Sequence, residues 1–161
     1  AIKMNAGAFG HSFCEYLKEI TVLKNGRLKK IKKIKYDYRK GPINNEIIVC
    51  AKLCLKFDNK SSINDLMQYY FCAKKSTQPY DQPSAGSIFK RNNNIAPSKI
   101  IDELGLKGLK VGGAMVSTKH AGFIVNTSNA TCSDVLHLIN IIETSFKEKQ
   151  LYFEKEVIYL N

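Results

Sequence analysis

A chain of 161 residues with 44% hydrophobic and 24% charged side chains has the balance of a globular protein of one domain or two small ones. No stretch approaches the roughly 20 consecutive apolar residues of a membrane-spanning helix. The opening also lacks the basic and apolar regions of a signal peptide. These features argue against a membrane-spanning helix and indicate a cytoplasmic protein.

The formal net charge of +11 favours anionic partners such as nucleic acid, membrane headgroups or phosphorylated small molecules, without choosing among them. Nearly all of the excess is lysine, since the only arginines are Arg27, Arg39 and Arg91. A lysine excess is typical of a solvated surface, whereas base recognition relies more on arginine. Solubility is therefore the favoured interpretation of the charge.

The cysteines indicate reduced structural thiols, because their number is odd and no CxxC pair occurs. Cys50 and Cys54 lie in an apolar run, where cysteine acts as a small hydrophobic residue. No metal site is expected, because the three histidines, His11, His120 and His137, are scattered without ligand spacing.

The N-terminal part predicts turns and a hairpin. Residues 1–10 are small and glycine-rich, which is typical of a tight turn. Asn25-Gly26 separates the apolar runs 20–23 and 27–31 and predicts a β-hairpin. The lysine-rich residues 29–40 are interpreted as a solvated face. A helical turn is expected there, because apolar residues recur at every third position from Leu28.

Residues 46–57 predict a half-buried strand, because apolar side chains fall at alternate positions. Ser61 or Ser62 is then expected to cap a helix that runs to about Lys75. Residues 76–86 contain two prolines and a glycine, which predicts a loop and a domain boundary.

The C-terminal part predicts mixed elements. Pro97 and Gly105 bracket a short helix, since helices favour proline early and glycine at the close. A strand is expected over 123–125, and Thr131 is expected to cap a helix that runs to about residue 147. Residues 151–160 predict a closing strand. Because helices and hairpins are unevenly spaced, the fold class is predicted as α+β.

Three positions are candidates for chemistry: Arg39 among tyrosines, Ser87 after Ala85-Gly86, and Glu156 near the C-terminus. Taken separately, each is more typical of packing, a turn hydroxyl or a solvent-facing carboxylate. Their order and surroundings give them more weight.

The motifs around these residues resemble the MurB family of flavin-dependent reductases, in sequence order and over nearly the whole chain. The Pro83–Lys90 segment, Pro-Ser-Ala-Gly-Ser-Ile-Phe-Lys, is the most diagnostic. The others are Met4-Asn5-Ala6-Gly7-Ala8-Phe9-Gly10, Tyr36-Asp37-Tyr38-Arg39, Gln78-Pro79, Gly112-Gly113-Ala114-Met115-Val116-Ser117, Lys119-His120-Ala121-Gly122-Phe123-Ile124-Val125-Asn126 and Glu154-Lys155-Glu156-Val157.

The resemblance implies the remainder of an FAD-binding domain over residues 1–58, a connecting helix over 59–75, and a small α+β substrate-binding domain over 76–161. The family's glycine-rich loop for the flavin phosphates is expected before the segment at which this chain starts. The N-terminal FAD-binding part is therefore an expected partner.

The resemblance also implies a reaction: NADPH reduces bound FAD, which then reduces UDP-N-acetylglucosamine enolpyruvate to UDP-N-acetylmuramate for peptidoglycan. By resemblance Ser87 donates a proton, while Arg39 and Glu156 stabilise the enol-like intermediate. The expected contacts are, for the flavin, Asn5, Gly7 and Ala8, and, for the substrate, Tyr38, Lys90, Arg91, Lys119 and His120.

Two other functions stay open at this point. The chain could be a non-catalytic module that binds a UDP-sugar, which calorimetry with and without FAD would separate from the reductase. The net charge also permits a nucleic-acid-binding protein, although no reading helix or aromatic RNA-binding motif supports one.

Overall fold

The computed structural model describes residues 1–92 and 95–159. Contacts divide the chain into two compact units, Ala1–Lys60 and Ser61–Asn161.

The first unit is built on a three-stranded antiparallel sheet of order β4-β3-β5. Its elements are β1 (Gly7–Ala8), β2 (His11–Ser12), a short 3-10 helix (Phe13–Tyr16), β3 (Leu17–Lys24), β4 (Arg27–Ile31) and β5 (Ile47–Leu53). The predicted hairpin is confirmed as β3–β4. Asn25 and Gly26 have φ of 49° and 71° in its turn, the left-handed values that two-residue hairpin turns need.

The core of the first unit lies on one face of this sheet, where β3 supplies most of the buried side chains. Ile48 of β5 and Ile31 of β4 pack against it. The buried members are Cys14, Leu17, Ile20, Val22 and Ile43.

Two expectations for this unit are wrong. The stretch from Leu28 forms strand β4 rather than a helical turn, because Leu28 pairs with Leu23 across the hairpin and the ladder overrides the local spacing. The predicted strand over 46–57 is shorter, and its alternating apolar face is exposed. A register shift between Thr21 and Val22 in the pairing of β3 with β5 turns Ile48 inward instead.

The cysteine interpretation is also wrong in part. Cys50 and Cys54 are exposed free thiols rather than small core residues, whereas Cys14 is buried. Burial raises the pKa of the Cys14 thiol, so that side chain behaves as an apolar one.

In its described residues, the second unit combines three helices with a four-stranded antiparallel sheet of order β6-β9-β8-β7. Its elements are α1 (Lys60–Thr77), β6 (Ser84–Ser87), α2 (Pro97–Glu103), β7 (Lys110–Val111), β8 (Ala114–Val116), β9 (Phe123–Asn126) and α3 (Cys132–Glu148). Helices and strands are mixed without a regular βαβ series, so the predicted α+β class is confirmed.

Helix α3 packs across this sheet and supplies the centre of the core. Leu138, Ile139, Ile142 and Phe146 are buried on its inner face. The predicted cap is confirmed, since the Thr131 hydroxyl accepts from the Asp134 N–H at 3.1 Å while the Asp134 carboxylate accepts from the Thr131 N–H at 2.9 Å.

Three local expectations need correction. Helix α1 starts at Lys60, so Ser61 and Ser62 lie inside it and neither caps it. Residues 84–86 of the predicted loop lie in β6 instead, because β9 offers a partner edge. Residues 151–159 make only the bridge of Lys155 with Phe89 instead of a strand, and residue 160 lies outside the described residues.

None of the helices in the two described ranges is long and apolar enough to cross a bilayer.

Candidate functional site

Two of the three predicted catalytic residues lie close together in the second unit. Ser87 is half-buried at the end of β6, and the residue after it, Ile88, accepts a hydrogen bond from the Glu156 N–H at 2.7 Å. The Ile88 N–H in turn donates to the Gly122 carbonyl at 3.0 Å. Backbone bonds on both sides thus fix where Ser87 and Glu156 lie.

Lys90 and Arg91 follow directly on this segment. The Lys90 backbone N–H donates to the Glu154 carbonyl at 2.8 Å, and its ammonium pairs with the Glu154 carboxylate at 2.6 Å. Arg91 is exposed beside it. Glu154 was not predicted as the partner of Lys90. Because this pair is solvent-accessible, an anionic ligand could compete for the ammonium.

Lys119 and His120 belong to a tightly bonded loop organised by Ser117. The Ser117 hydroxyl is buried and accepts the N–H groups of Lys119 and His120, each at 3.2 Å. The Lys119 ammonium donates to the Lys75 carbonyl at 2.6 Å, in the last turn of α1. Ser117 was not identified from the sequence as a turn residue, although serine hydroxyls often bond to backbone N–H groups two or three residues later in turns.

The geometry around His120 fixes its tautomer. Its Nδ1 accepts from the Gly122 N–H at 3.1 Å, so that nitrogen carries no proton and the neutral ring is protonated at Nε2. The ring packs edge-on against Phe123, with centroids 4.9 Å apart. Burial lowers the pKa of His120, and nearby Lys107 adds to the effect. At neutral pH His120 therefore offers a neutral N–H donor rather than a cation.

Unfolding should become easier on acidification because of His120. Since its pKa in the folded state lies below the ordinary 6.5, the unfolded chain takes up the proton first. The stabilisation is present above pH 6.5 and is lost as the pH falls through 6.5 toward the lower folded value. We expect the midpoint of thermal unfolding to fall less for His120→Gln than for the parent protein between about pH 8 and about pH 5.5.

The matched control is His137→Gln, at an exposed position on α3. It removes an imidazole from the same unit without touching the Ser117 loop, and so controls for the substitution itself. Identical pH profiles for His120→Gln and the parent would contradict the assignment.

In the first unit, the predicted flavin contacts lie in the N-terminal turns. Gly7 and Ala8 form exposed strand β1, and a Cβ at Gly7 would come within 3.0 Å of the His11 carbonyl oxygen. Asn5 is only 5% exposed and its amide bonds to backbone. Gly7 and Ala8 therefore present backbone to solvent, while Asn5 is built into the unit.

Tyr38 and Arg39 lie in a turn of the same unit. The Arg39 guanidinium carbon is 5.0 Å from the centroid of the Tyr38 ring, within the range of a cation–π contact. Arg39 has a φ of 55°, in the left-handed region. The Tyr38 N–H donates to the Asp37 carboxylate at 2.7 Å.

A cleft of about 430 Å³ in the second unit is not the candidate site. Its lining is mainly apolar, with side chains such as Ile124, Val135 and Ile139, and among the described residues neither Ser87 nor Glu156 borders it. No group of three His, Cys, Asp or Glu side chains within residues 1–92 and 95–159 is placed to hold a metal ion.

Comparison with known proteins links this geometry to one family. Residues 78–160 match the model of the UDP-N-acetylenolpyruvoylglucosamine reductase C-terminal domain. Curated reductases of that name are 44% identical in Thermotoga sp. (strain RQ2), 42% in Listeria welshimeri and 39% in Pseudothermotoga lettingae. The alignments cover 92%, 92% and 98% of this chain and 51%, 52% and 58% of those proteins.

The crystal structure of the reductase (MurB) from Thermus caldophilus has the same architecture, with a TM-score of 0.86 at 34% sequence identity. The match covers 98% of this chain and 58% of that one. The chain thus spans about half the length of the curated relatives it matches.

Proposed function

The chain belongs to the UDP-N-acetylenolpyruvoylglucosamine reductase family, and from that premise we propose that it supports the NADPH-dependent reduction of UDP-N-acetylglucosamine enolpyruvate in the cytoplasm. The observation that carries the proposal is the pairing of the Ser87 segment with Glu156, because it brings a hydroxyl-bearing residue and a carboxylate-bearing residue together on bonded backbone. Within the family motifs, these are the residues assigned to proton transfer and charge stabilisation.

The residues of the first unit fit part of a flavin site. Gly7 and Ala8 are small and exposed, which allows a planar ring to approach their backbone closely. A glycine-rich loop at a helix N-terminus, which would hold the phosphates of FAD, is absent among residues 1–92 and 95–159. When bound, FAD would supply the hydride for the double bond after accepting it from NADPH.

The chain's own residues have complementary tasks in this proposal. Hydride addition to an enolpyruvyl group moves negative charge onto its carboxylate, which the Arg39 guanidinium stabilises. Ser87 transfers its hydroxyl proton to the neighbouring carbon, which completes the saturated product. Glu156 helps to stabilise the enol-like intermediate. Tyr38, Lys90, Arg91, Lys119 and His120 are proposed to bind the anionic substrate.

Exposed apolar surface in each unit supports the need for the N-terminal FAD-binding part of the family. In the first unit Ile47 and Val49 of β5 are 64% and 54% exposed. In the second unit α1 has no buried residue, and Leu66, Met67 and Phe71 on it are exposed. Contiguous apolar surface of this kind marks an interaction site. We propose that this N-terminal part covers it.

The test supplies that part, taken from the Thermotoga sp. (strain RQ2) relative, either fused to this chain or co-expressed with it. The purified protein should be yellow with flavin and should oxidise NADPH continuously only when the enolpyruvyl sugar nucleotide is present. Each part alone is the control. A flavin-loaded complex without substrate-dependent oxidation would overturn the reductase proposal. UDP-sugar binding that is indifferent to flavin in calorimetry would then favour a binding module.

A further inference from the structure

We propose that Asn5 is a positioning residue: its side-chain amide fixes the turn that carries Tyr38 and Arg39, and so sets the orientation of the guanidinium. The inference rests on the proposed function, which assigns the substrate carboxylate to Arg39. It gives Asn5 a role through the protein backbone, distinct from the expected contact with flavin.

The Asn5 amide is buried and joins two distant segments. Its Oδ1 accepts from the Cys14 N–H at 3.0 Å, and its Nδ2 donates to the Asp37 carbonyl at 3.1 Å. The orientation of the amide is unambiguous, because one partner can only donate and the other can only accept. A buried polar group in this setting is costly to leave unpaired, so both bonds constrain the fold.

The Asp37 carbonyl that Asn5 binds also closes the turn that contains Arg39. Asp37 and Lys40 exchange two backbone bonds, Asp37 N–H to Lys40 O at 2.8 Å and Lys40 N–H to Asp37 O at 3.1 Å. Arg39 takes its left-handed φ of 55° inside this turn, a conformation that sterics disfavour for a residue with a side chain. The turn therefore needs support from outside, and Asn5 supplies it.

The segment around Asn5 also holds the far end of the turn. The Gly41 N–H donates to the Lys3 carbonyl at 2.9 Å. A Cβ at Gly41 would overlap the carbonyl oxygen of Ile2, so the two backbones lie in direct contact. Two independent contacts thus clamp the turn between residues 37 and 41.

The consequence for chemistry is geometric. A guanidinium that holds a carboxylate through two parallel bonds must be placed accurately, and a shift of about 1 Å can cost about 10²-fold in rate. Loss of the Nδ2 donor would leave the Asp37 carbonyl bonded only to the Lys40 N–H of its own turn, and would remove one of the two contacts that hold the backbone of Arg39 in place.

The decisive variant is Asn5→Asp in the completed, flavin-loaded enzyme. An aspartate keeps an acceptor for the Cys14 N–H, while its second carboxylate oxygen faces the Asp37 carbonyl and repels it, so the link to the turn is lost. We expect turnover with the enolpyruvyl sugar nucleotide to fall by about 10²-fold. Turnover is counted per bound flavin, so that any loss of flavin from the variant is separated from the loss of substrate reduction.

The matched control is Val22→Ala, which is buried in the same unit and lowers its stability without touching the turn. The inference is overturned if Val22→Ala loses turnover to the same extent at an equal loss of unfolding midpoint, or if Asn5→Asp keeps full turnover.

A second measurement needs neither activity nor a folded variant. In the NMR spectrum of this chain, the Asn5 side-chain NH₂ and the Lys40 amide should exchange slowly with solvent; rapid exchange of both would overturn the clamp. If the completed parent enzyme binds flavin but shows no substrate-dependent oxidation, the proposed function fails and the catalytic consequence of Asn5 fails with it. NMR still decides the clamp separately.

Discussion

Ser87→Ala should abolish nearly all reduction of the enolpyruvyl sugar nucleotide by the completed enzyme, with a loss of turnover of about 10²- to 10⁴-fold. The methyl side chain carries no proton to transfer, while the backbone position stays fixed by the Ile88 bonds to Gly122 and Glu156. Alanine fits a β-strand end with little change of packing, so the loss should appear in kcat and not in the unfolding midpoint.

Two measurements isolate the proton step. Bleaching of the flavin by NADPH in the absence of substrate should be unchanged in Ser87→Ala, because the hydroxyl has no part in it. Ser84→Ala, on the same strand and exposed, is the matched control and should keep parent turnover. Full turnover of Ser87→Ala would remove Ser87 as the proton donor.

The sequence predicted those features of the fold that short-range chemistry determines. The β3–β4 hairpin follows from Asn25-Gly26, whose backbone accepts the left-handed conformation that the turn requires. The start of α3 follows from the reciprocal bonding of Thr131 and Asp134. Both signals lie within a few residues, so no knowledge of the tertiary structure is needed to interpret them.

Features set by tertiary pairing could not be predicted in this way. The alternating pattern of residues 46–57 correctly predicts a strand, but which face is buried depends on the register with β3, including its shift near Thr21. The expected strand over 151–160 fails because the bridge of Lys155 to Phe89 is the only β-pairing that its described part makes. Local pattern indicates an element and leaves its partners undetermined.

The candidate site shows the same division. Motifs made Ser87, Glu156 and Arg39 candidates, and the backbone bond from the Glu156 N–H to the Ile88 carbonyl places the segments of the first two side by side. Nothing local signalled that Glu154 pairs with Lys90 across 64 residues of sequence. The Asn5 amide bonds to the Asp37 carbonyl across 32 residues of sequence, and no local pattern predicted that bond either.

Two glycines show the limit of sequence-based prediction most clearly, because the sequence does not tell whether a glycine is required for its backbone conformation or for lack of space. Gly105 has a φ of 70°, and a Cβ at this position would meet no atom within 4 Å, so the glycine is needed only for its conformation. Gly113 has an ordinary φ, but a Cβ there would overlap the carbonyl oxygen of Ser128 and crowd the N and Cα of Ala130. Its own carbonyl accepts from the Thr127 N–H and hydroxyl, both at 2.9 Å.

Gly113→Ala should therefore lower the free energy of unfolding of the second unit by about 3 kcal/mol or more, because backbone atoms that anchor the start of α3 must move. Gly105→Ala should lower it by only about 1 to 2 kcal/mol, the usual penalty of a left-handed residue with a side chain. Urea titration of both variants followed by circular dichroism measures the difference. Equal losses would contradict the prediction. They would mean that the backbone of Ser128 and Ala130 moves away from a Cβ at position 113 at little cost, and that lack of space is not the reason for glycine there.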